Sequence, residues 1–362
     1  MKIRLAALGL IGSVLLAGCG LNVSTSGENS NTANAQQTSF EQALHNLKNS
    51  SAETGENGVV QTQLVGDVTP IAEEVTPELP VELSDSDGYD VTVTDVSRIL
   101  PLDLYGTTSR TIAGLGLRAN IVGRTVSSEE PSLEDLPVVT QGGHNINVEA
   151  VLALDPSLII VDHSIGPDEA IDQLRDAGVT TVVINPSRTM ASIGDDIRTI
   201  AGIVGLDGEG EQLAERAEKE RDEAIEAVSE IAPEHAPRAA FVYVRGSSGV
   251  FFILGPDSGT AELFESVGAV DAAKEANVSD MVPANAEAFA KLNPDVIVMM
   301  SKGLESTGGV DGMLARPGVA ETEAAKNQHF ITIADSQALS FGPQTGEMIL
   351  AFATALYNPN SQ

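Results

Sequence analysis

One stretch of this chain occurs twice, and that echo constrains the fold more than any other feature. Residues 142–162 read GGHNINVEAVLALDPSLIIVD, and from Ala284 the sequence runs ANAEAFAKLNPDVIVMM. Glu149 answers to Glu287 and Pro156 to Pro294, both displaced by 138 positions (287 − 149 and 294 − 156). In each copy a short amphipathic helix begins near the glutamate. Proline stops it by disfavouring helix at the residue before, and a β-branched apolar run follows as a buried strand. Each half is a helix-then-strand lobe. The expected fold is α/β, two lobes with mostly parallel sheets, and two such lobes leave a cleft between them.

Between the copies, residues 209–231 read EGEQLAERAEKERDEAIEAVSEI. Leu213, Ala217, Ala224 and Val228 recur near helical spacing, giving a single helix of about six turns. The stripe is too short and too alanine-rich for a coiled-coil arm. The expected organisation is an N-terminal lobe over 88–208, a connecting helix over 209–236 closed by Pro233 and Pro237, and a C-terminal lobe over 237–362. In the first lobe, Asp168-flanked Glu169 to Ala177 reads as a helix, with strands at Asn120–Gly123 and Thr181–Ile184. In the second, Arg238–Arg245 reads as a strand and Thr260–Val267 as a helix.

The N-terminus carries Lys2 and Arg4, an apolar run from Leu5 to Leu16, and the tetrad Leu16-Ala17-Gly18-Cys19. The run is too short to span a bilayer and has the flanks of an export signal, residues 1–18. The tetrad resembles a bacterial lipobox, which implies cleavage before Cys19 and a diacylglycerol anchor on its sulfur. Cys19 is the only cysteine. Residues 19–87 are rich in Ser, Thr, Asn, Gln and Glu, and read as a disordered tether. Within it, Phe40, Ala43, Leu44 and Leu47 share a helical face, but an isolated helix of that length is marginal.

Formal net charge is −32, and loss of Lys2 and Arg4 with the signal gives −34. Such a surface repels polyanions and excludes nucleic acid as a partner. The sequence has no Gly-rich phosphate loop, no HExxH, no paired cysteines and no Gly-x-Ser-x-Gly elbow, so an enzyme reading has nothing to build on.

Ligands of open parallel sheets bind beyond the carboxyl ends of the strands. Along Arg238–Arg245 the period of two places Phe241, Tyr243 and Arg245 on one face and Ala240, Val242 and Val244 on the other. Tyr243 and Arg245 are then neighbours at the ligand end, where a guanidinium favours phenolate, a hard oxygen ligand suited to Fe(III). The same rule brings Met299 and Met300 to the end of the echo strand. His144, in the Gly142-Gly143 turn, supplies an imidazole from the other lobe. An imidazole and a phenolate on opposite lobes can sandwich an iron porphyrin, whose ring fills the four equatorial positions. Taken singly, each residue has a plainer role: a loop histidine, a half-buried strand tyrosine, core methionines. His163, just after the strand ending at Asp162, is a rival ligand by topology.

The motifs GGHNIN with His144, YVRG with Tyr243 and Arg245, and MMSKG with Met300 resemble those of haemin-binding substrate-binding lipoproteins of Gram-positive ABC importers, over about Asp90 to Tyr357. The resemblance implies the class III periplasmic-binding-protein arrangement, two lobes joined by one long helix. It implies haem as cargo, with His144 and Tyr243 as axial ligands and Arg245 hydrogen-bonded to the Tyr243 oxygen. It implies a permease and its ATPase as partners, with Glu149 and Glu287 docking permease arginines, and leaves room for an upstream surface protein that donates haem. The chain departs from many such relatives at Gln344, where arginine is usual; Gln brings no charge to a propionate. A ferric-siderophore or cobalamin receptor of the same fold and a surface enzyme or haem-dependent sensor stay open, although siderophores bring their own iron ligands.

Overall fold

A short capped helix comes first among the described residues. The structure, a computed structural model, describes residues 39–49, 58–246 and 249–357. These fall in one unit, Gln37–Gln362. The expected signal peptide and Cys19 lie outside the described residues. Helix α1 (Phe40–Lys48) opens on a capping box: the Ser39 hydroxyl accepts from the Gln42 N–H, and the Gln42 side chain accepts from the Ser39 N–H. Its Phe40 and Leu47 are buried in the main core. Strand β1 (Gly58–Gln61) lies parallel to the last strand of the C-terminal lobe, with Gly58 beside His329. Strand β2 (Val81–Ser84) pairs antiparallel with β3 (Asp90–Val93).

The expectation of a disordered tether over 19–87 is therefore corrected for 40–48 and from 58 onward; residues 19–38 and 50–57 lie outside the described residues. Composition counts only the apolar area a segment owns. These segments borrow a core made elsewhere, α1 by laying its one apolar face on other helices and β1 by completing a ladder of backbone hydrogen bonds at a sheet edge.

In the N-terminal lobe, β4 (Ile99–Leu102) leads to α2 (Thr107–Ile112). A small hairpin, β5 (Thr140–Gln141) and β6 (Asn145–Ile146), precedes α3 (Val148–Ala153), β7 (Leu158–Asp162), α4 (Asp168–Asp176), β8 (Thr181–Ile184) and α5 (Ile193–Ile203). The sheet order is β4-β7-β8, all parallel. The strand expected at Asn120–Gly123 shrinks to one bridge between Ile121 and Ile99.

Helix α6 (Asp207–Ile231) joins the lobes. The C-terminal lobe follows with β9 (Arg238–Arg245), β10 (Val250–Leu254), α7 (Thr260–Ser266), β11 (Val270–Asp271), α8 (Ala272–Glu275), β12 (Val282–Pro283), α9 (Ala286–Leu292) and β13 (Val296–Met300). After α10 (Ser301–Ser306), α11 (Gly309–Leu314) and α12 (Glu323–Lys326), β14 (His329–Ile333) and α13 (Thr345–Tyr357) close the chain. Its sheet runs β1-β14-β13-β9-β10-β12, with β11 also beside β9. Pairing is parallel from β1 to β9 and antiparallel beyond. The echo of the sequence is an echo of structure, α3–β7 answered by α9–β13.

The period of two holds across this sheet. Phe241, Val298 and Ile331 join the core beneath α6 and α13, while Val242, Met299 and Phe330 join a separate core on the opposite face. The first core is continuous through both lobes, from Ile160 of β7 to Phe241 of β9, with the Leu213, Ala217, Ala224 and Val228 stripe of α6 inside it.

Where α6 and α13 meet, the packing brings two carboxylates together. Helix α13 approaches so closely that a Cβ at Gly346 would lie 2.7 Å from the Glu220 backbone. Burial, reinforced by the nearby Glu220 charge, pushes the Glu347 carboxyl up to about 7, and its Oε2 has no hydrogen-bond partner. The unfolded chain ionises this group lower, near 4.5, so stability falls as pH rises through the window between those values. Glu347→Gln should flatten that loss and raise the unfolding free energy at pH 8 by on the order of 2 kcal/mol, with little effect at pH 4.5. Urea denaturation at the two pH values checks it; equal effects at both would show that folding does not raise the Glu347 pKa. Leu47→Ala should cost about 2–3 kcal/mol in the same assay. No loss would return α1 to the tether.

Candidate functional site

The carboxyl ends of β9, β13 and β14 meet at one side chain, Arg245. Its Nη2 donates to Asp335 Oδ1 at 2.6 Å and to Met300 Sδ at 3.1 Å, and its Nη1 donates to the Val244 carbonyl at 3.0 Å. The guanidinium carbon lies 4.8 Å from the centroid of the Tyr243 ring. Tyr243, Arg245 and Met300 are thus brought together on the face that the alternation assigns them, and Tyr243 and Met300 pack at the margin of the main core. The expected hydrogen bond from Arg245 to the Tyr243 oxygen is not formed: the guanidinium lies over the ring because Asp335 draws it sideways. The Tyr243 oxygen has no hydrogen-bond partner among the described residues.

Asp335 was not anticipated from the sequence. It stands two residues beyond β14, and the rule that singled out Tyr243 at the end of β9 reaches it when applied to β14. Its Oδ2 accepts from the Lys302 N–H at 3.0 Å, so one carboxylate fixes both Arg245 and the first turn of α10. Gly303 permits the approach: a Cβ there would lie 2.9 Å from the Val244 oxygen and 3.0 Å from Arg245 Nη1.

On the other lobe, His144 sits in the loop of the β5–β6 hairpin, where Gly142 and Gly143 take φ of 60° and 92°, left-handed values suited to glycine. The His144 carbonyl accepts from the Gly166 N–H at 2.9 Å, and the Ile146 N–H donates to Gly166 at 2.7 Å. These bonds tie the hairpin to the loop that follows β7, at the carboxyl end of that lobe's sheet. The His144 side chain is exposed, and its imidazole makes no hydrogen bond among the described residues.

His163 is different. Its Nε2 pairs with Asp87 at 2.8 Å and its Nδ1 with Asp168 at 3.1 Å. The bond to Asp87 leads in raising its pKa above the ordinary histidine value. Both of its nitrogens are therefore engaged by carboxylates, unlike those of His144. Gln344 is buried and gives its amide to the Gly66 carbonyl at 3.2 Å.

Nearby on the N-terminal lobe, Arg188 pairs with Asp162 at the end of β7, and its guanidinium carbon lies 4.5 Å from the Tyr105 ring centroid. Between the lobes, Lys302 pairs with Glu129, Arg110 Nη1 donates to Ser340 Oγ at 3.1 Å, and the Met190 N–H donates to Glu262 at 2.6 Å. A cavity of 460 Å³ beside β8 and α5, lined by Leu83, Val183 and Ile203 among others, contains none of these groups and has no histidine, tyrosine or methionine in its lining.

Glu149 and Glu287 take equivalent places. Each lies exposed in the first turn of its helix. Asn147 caps α3 by accepting from the Ala150 N–H at 3.1 Å, and Asn285 caps α9 by accepting from the Ala288 N–H at 2.9 Å. Among the described residues neither glutamate joins an ion pair.

Comparison with known proteins fits this geometry. A solved structure of the heme binding protein HmuT is 57% identical, covers 84% of this chain and 98% of its own, and superposes with a TM-score of 0.81. Structures of HmuT with one histidine, one arginine or one tyrosine changed to alanine match comparably. The uncharacterized ABC transporter substrate-binding lipoprotein YvrC of Bacillus subtilis is 27% identical over 290 residues, 79% of this chain and 88% of YvrC. A cobalamin-binding protein of Halobacterium salinarum is 24% identical over 310 residues, 80% of this chain and 81% of that protein. The periplasmic binding protein family model matches residues 104–336, and the chain belongs to that family.

Proposed function

We infer that this chain binds haem between its two lobes and delivers it to the permease of an ABC importer; its task is carriage, not catalysis. The observation that carries the assignment of ligands is that His144 and Tyr243, one on each lobe and both at the carboxyl ends of their sheets, have uncommitted ligand atoms, whereas His163 has none. An imidazole and a phenolate fill the two axial positions that a porphyrin leaves open on iron. Arg245 backs the Tyr243 ring with positive charge, and Met300, already beside Arg245, is the alternative axial donor. The 57% identity to HmuT supports haem as cargo. So does a numerical coincidence: the histidine, tyrosine and arginine replaced in the HmuT variants each carry a number three lower than His144, Tyr243 and Arg245. Cobalamin as cargo rests on a much more distant relative.

The equivalent, unpaired Glu149 and Glu287 support docking on two copies of one permease subunit, powered by its ATPase. The export signal and lipobox support an anchor at Cys19 on the extracytoplasmic face of the membrane, from which an upstream surface protein can be met.

Haemin titrated into the apo-protein should give a Soret band saturating at one equivalent. Haem release should accelerate at least tenfold in Tyr243→Phe and in His144→Ala, and stay unchanged in His163→Ala. A wild-type spectrum and release rate in Tyr243→Phe would remove Tyr243 from the iron. Charge reversal at Glu149 or Glu287 should abolish haem uptake by cells while the purified variants bind haemin normally; normal uptake by both variants would reduce these glutamates to favourable charges at helix N-termini.

A further inference from the structure

Arg110, Arg188, Arg245 and Lys302 are cations at the candidate site, and their partners separate them. Arg110 is buried and held by Ser340. Arg188 is paired with Asp162, whose side chain is only 3% exposed. Arg245 is held by Asp335, 16% exposed, and by Met300. Lys302 differs: its partner Glu129 belongs to the opposite lobe, and the two side chains are 55% and 30% exposed.

That difference decides which cation can change partners. Withdrawing Arg188 would leave the Asp162 carboxylate buried without its ion pair, which is strongly destabilising. Withdrawing Lys302 leaves Glu129 facing water, where an exposed ion pair contributes little. Lys302 also has the means to move. Its backbone is pinned by Asp335 at 3.0 Å, two residues beyond Met300, while its ammonium swings on a flexible four-carbon stem.

We propose that Lys302 is the propionate-recognising residue of the cleft, exchanging the Glu129 carboxylate for a haem propionate, so that the Glu129–Lys302 pair is an interlobe strap opened by the cargo itself. The inference rests on haem as cargo. Haem carries its two carboxylates on one edge of the ring, and iron ligation by Tyr243 places the ring on the lobe that bears Lys302. The uncharged Gln344 is spent on Gly66, which leaves the recognition of carboxylate to a cation elsewhere. Before cargo arrives, Glu129 mimics the propionate. It competes with weak carboxylates and yields to a ligand held also by iron.

The test uses the full chain as wild type, Lys302→Gln and Glu129→Gln, each loaded with haemin or with haemin dimethyl ester, whose propionates carry no charge. Release is followed as the Soret change on transfer to excess apomyoglobin. Lys302→Gln should speed release of haemin about tenfold, the loss of a charge-assisted hydrogen bond, and leave the diester unchanged. Glu129→Gln should slow release of haemin and leave the diester unchanged. Equal effects of Lys302→Gln on both porphyrins, no effect on either, or the same direction of change in both variants would overturn the exchange. Failure of the wild type to bind either porphyrin would instead overturn haem as cargo.

Discussion

A helix that packs on both lobes at once governs the rest of this molecule. Helix α6 spans about 37 Å at 1.5 Å per residue, and its stripe of Leu213, Ala214, Ala217, Ala224, Ala227 and Val228 is buried. Alanine dominates because the neighbours come close: α5 lies against α6 from the N-terminal lobe, α13 from the C-terminal lobe, and α1 from the segment ahead of both. A rod gripped in this way does not fold like a loop hinge. A helix packed on both lobes restricts how far their spacing can change when a ligand binds. Preorganisation of this kind reduces the ordering cost of binding.

Within that frame the arginines of the site are held by oxygen partners. In a protein of net charge −32, every arginine described at the site has an oxygen partner: Arg110 with Ser340, Arg188 with Asp162, Arg245 with Asp335. Three of the four tyrosines also lie under a guanidinium, Tyr89 beneath Arg175, Tyr105 beneath Arg188 and Tyr243 beneath Arg245. Scarce aromatic rings and scarce cations are spent on each other. The fourth, Tyr357, is buried, and its hydroxyl donates to the Val267 carbonyl at 2.7 Å. Against this committed background, the imidazole of His144 and the phenol of Tyr243 stand out as donors held in reserve.

Local pattern reached far into the fold. The 138-residue echo, the strands Thr181–Ile184 and Arg238–Arg245 and the connecting helix all appear at or near their expected bounds. The faces of β9 divide Tyr243 and Arg245 from Val242 and Val244 as alternation requires. Local pattern failed where a segment has no core of its own. Helix α1 and strand β1 were legible as an amphipathic stretch and a polar run, yet distant elements order them: α6 and α13 for the helix, and β14, 271 positions on (329 − 58), for the strand. Asn120–Gly123 failed in the opposite direction, since its apolar residues find a partner only at Ile99.

The sequence by itself determined the two-lobed architecture, the histidine, tyrosine, arginine and methionine of the cleft, and the equivalence of Glu149 and Glu287, because periodicity and spacing are properties of neighbours along the chain. Only the tertiary structure decided how those side chains are spent. Asp87 and Asp168 engage both nitrogens of His163, Asp335 holds Arg245 over the Tyr243 ring, and Glu129 reaches Lys302 from the other lobe. The physical reason is that a hydrogen bond or an ion pair is a contact of a few ångströms between residues as far as 173 positions apart, and no local pattern records which distant carboxylate will arrive.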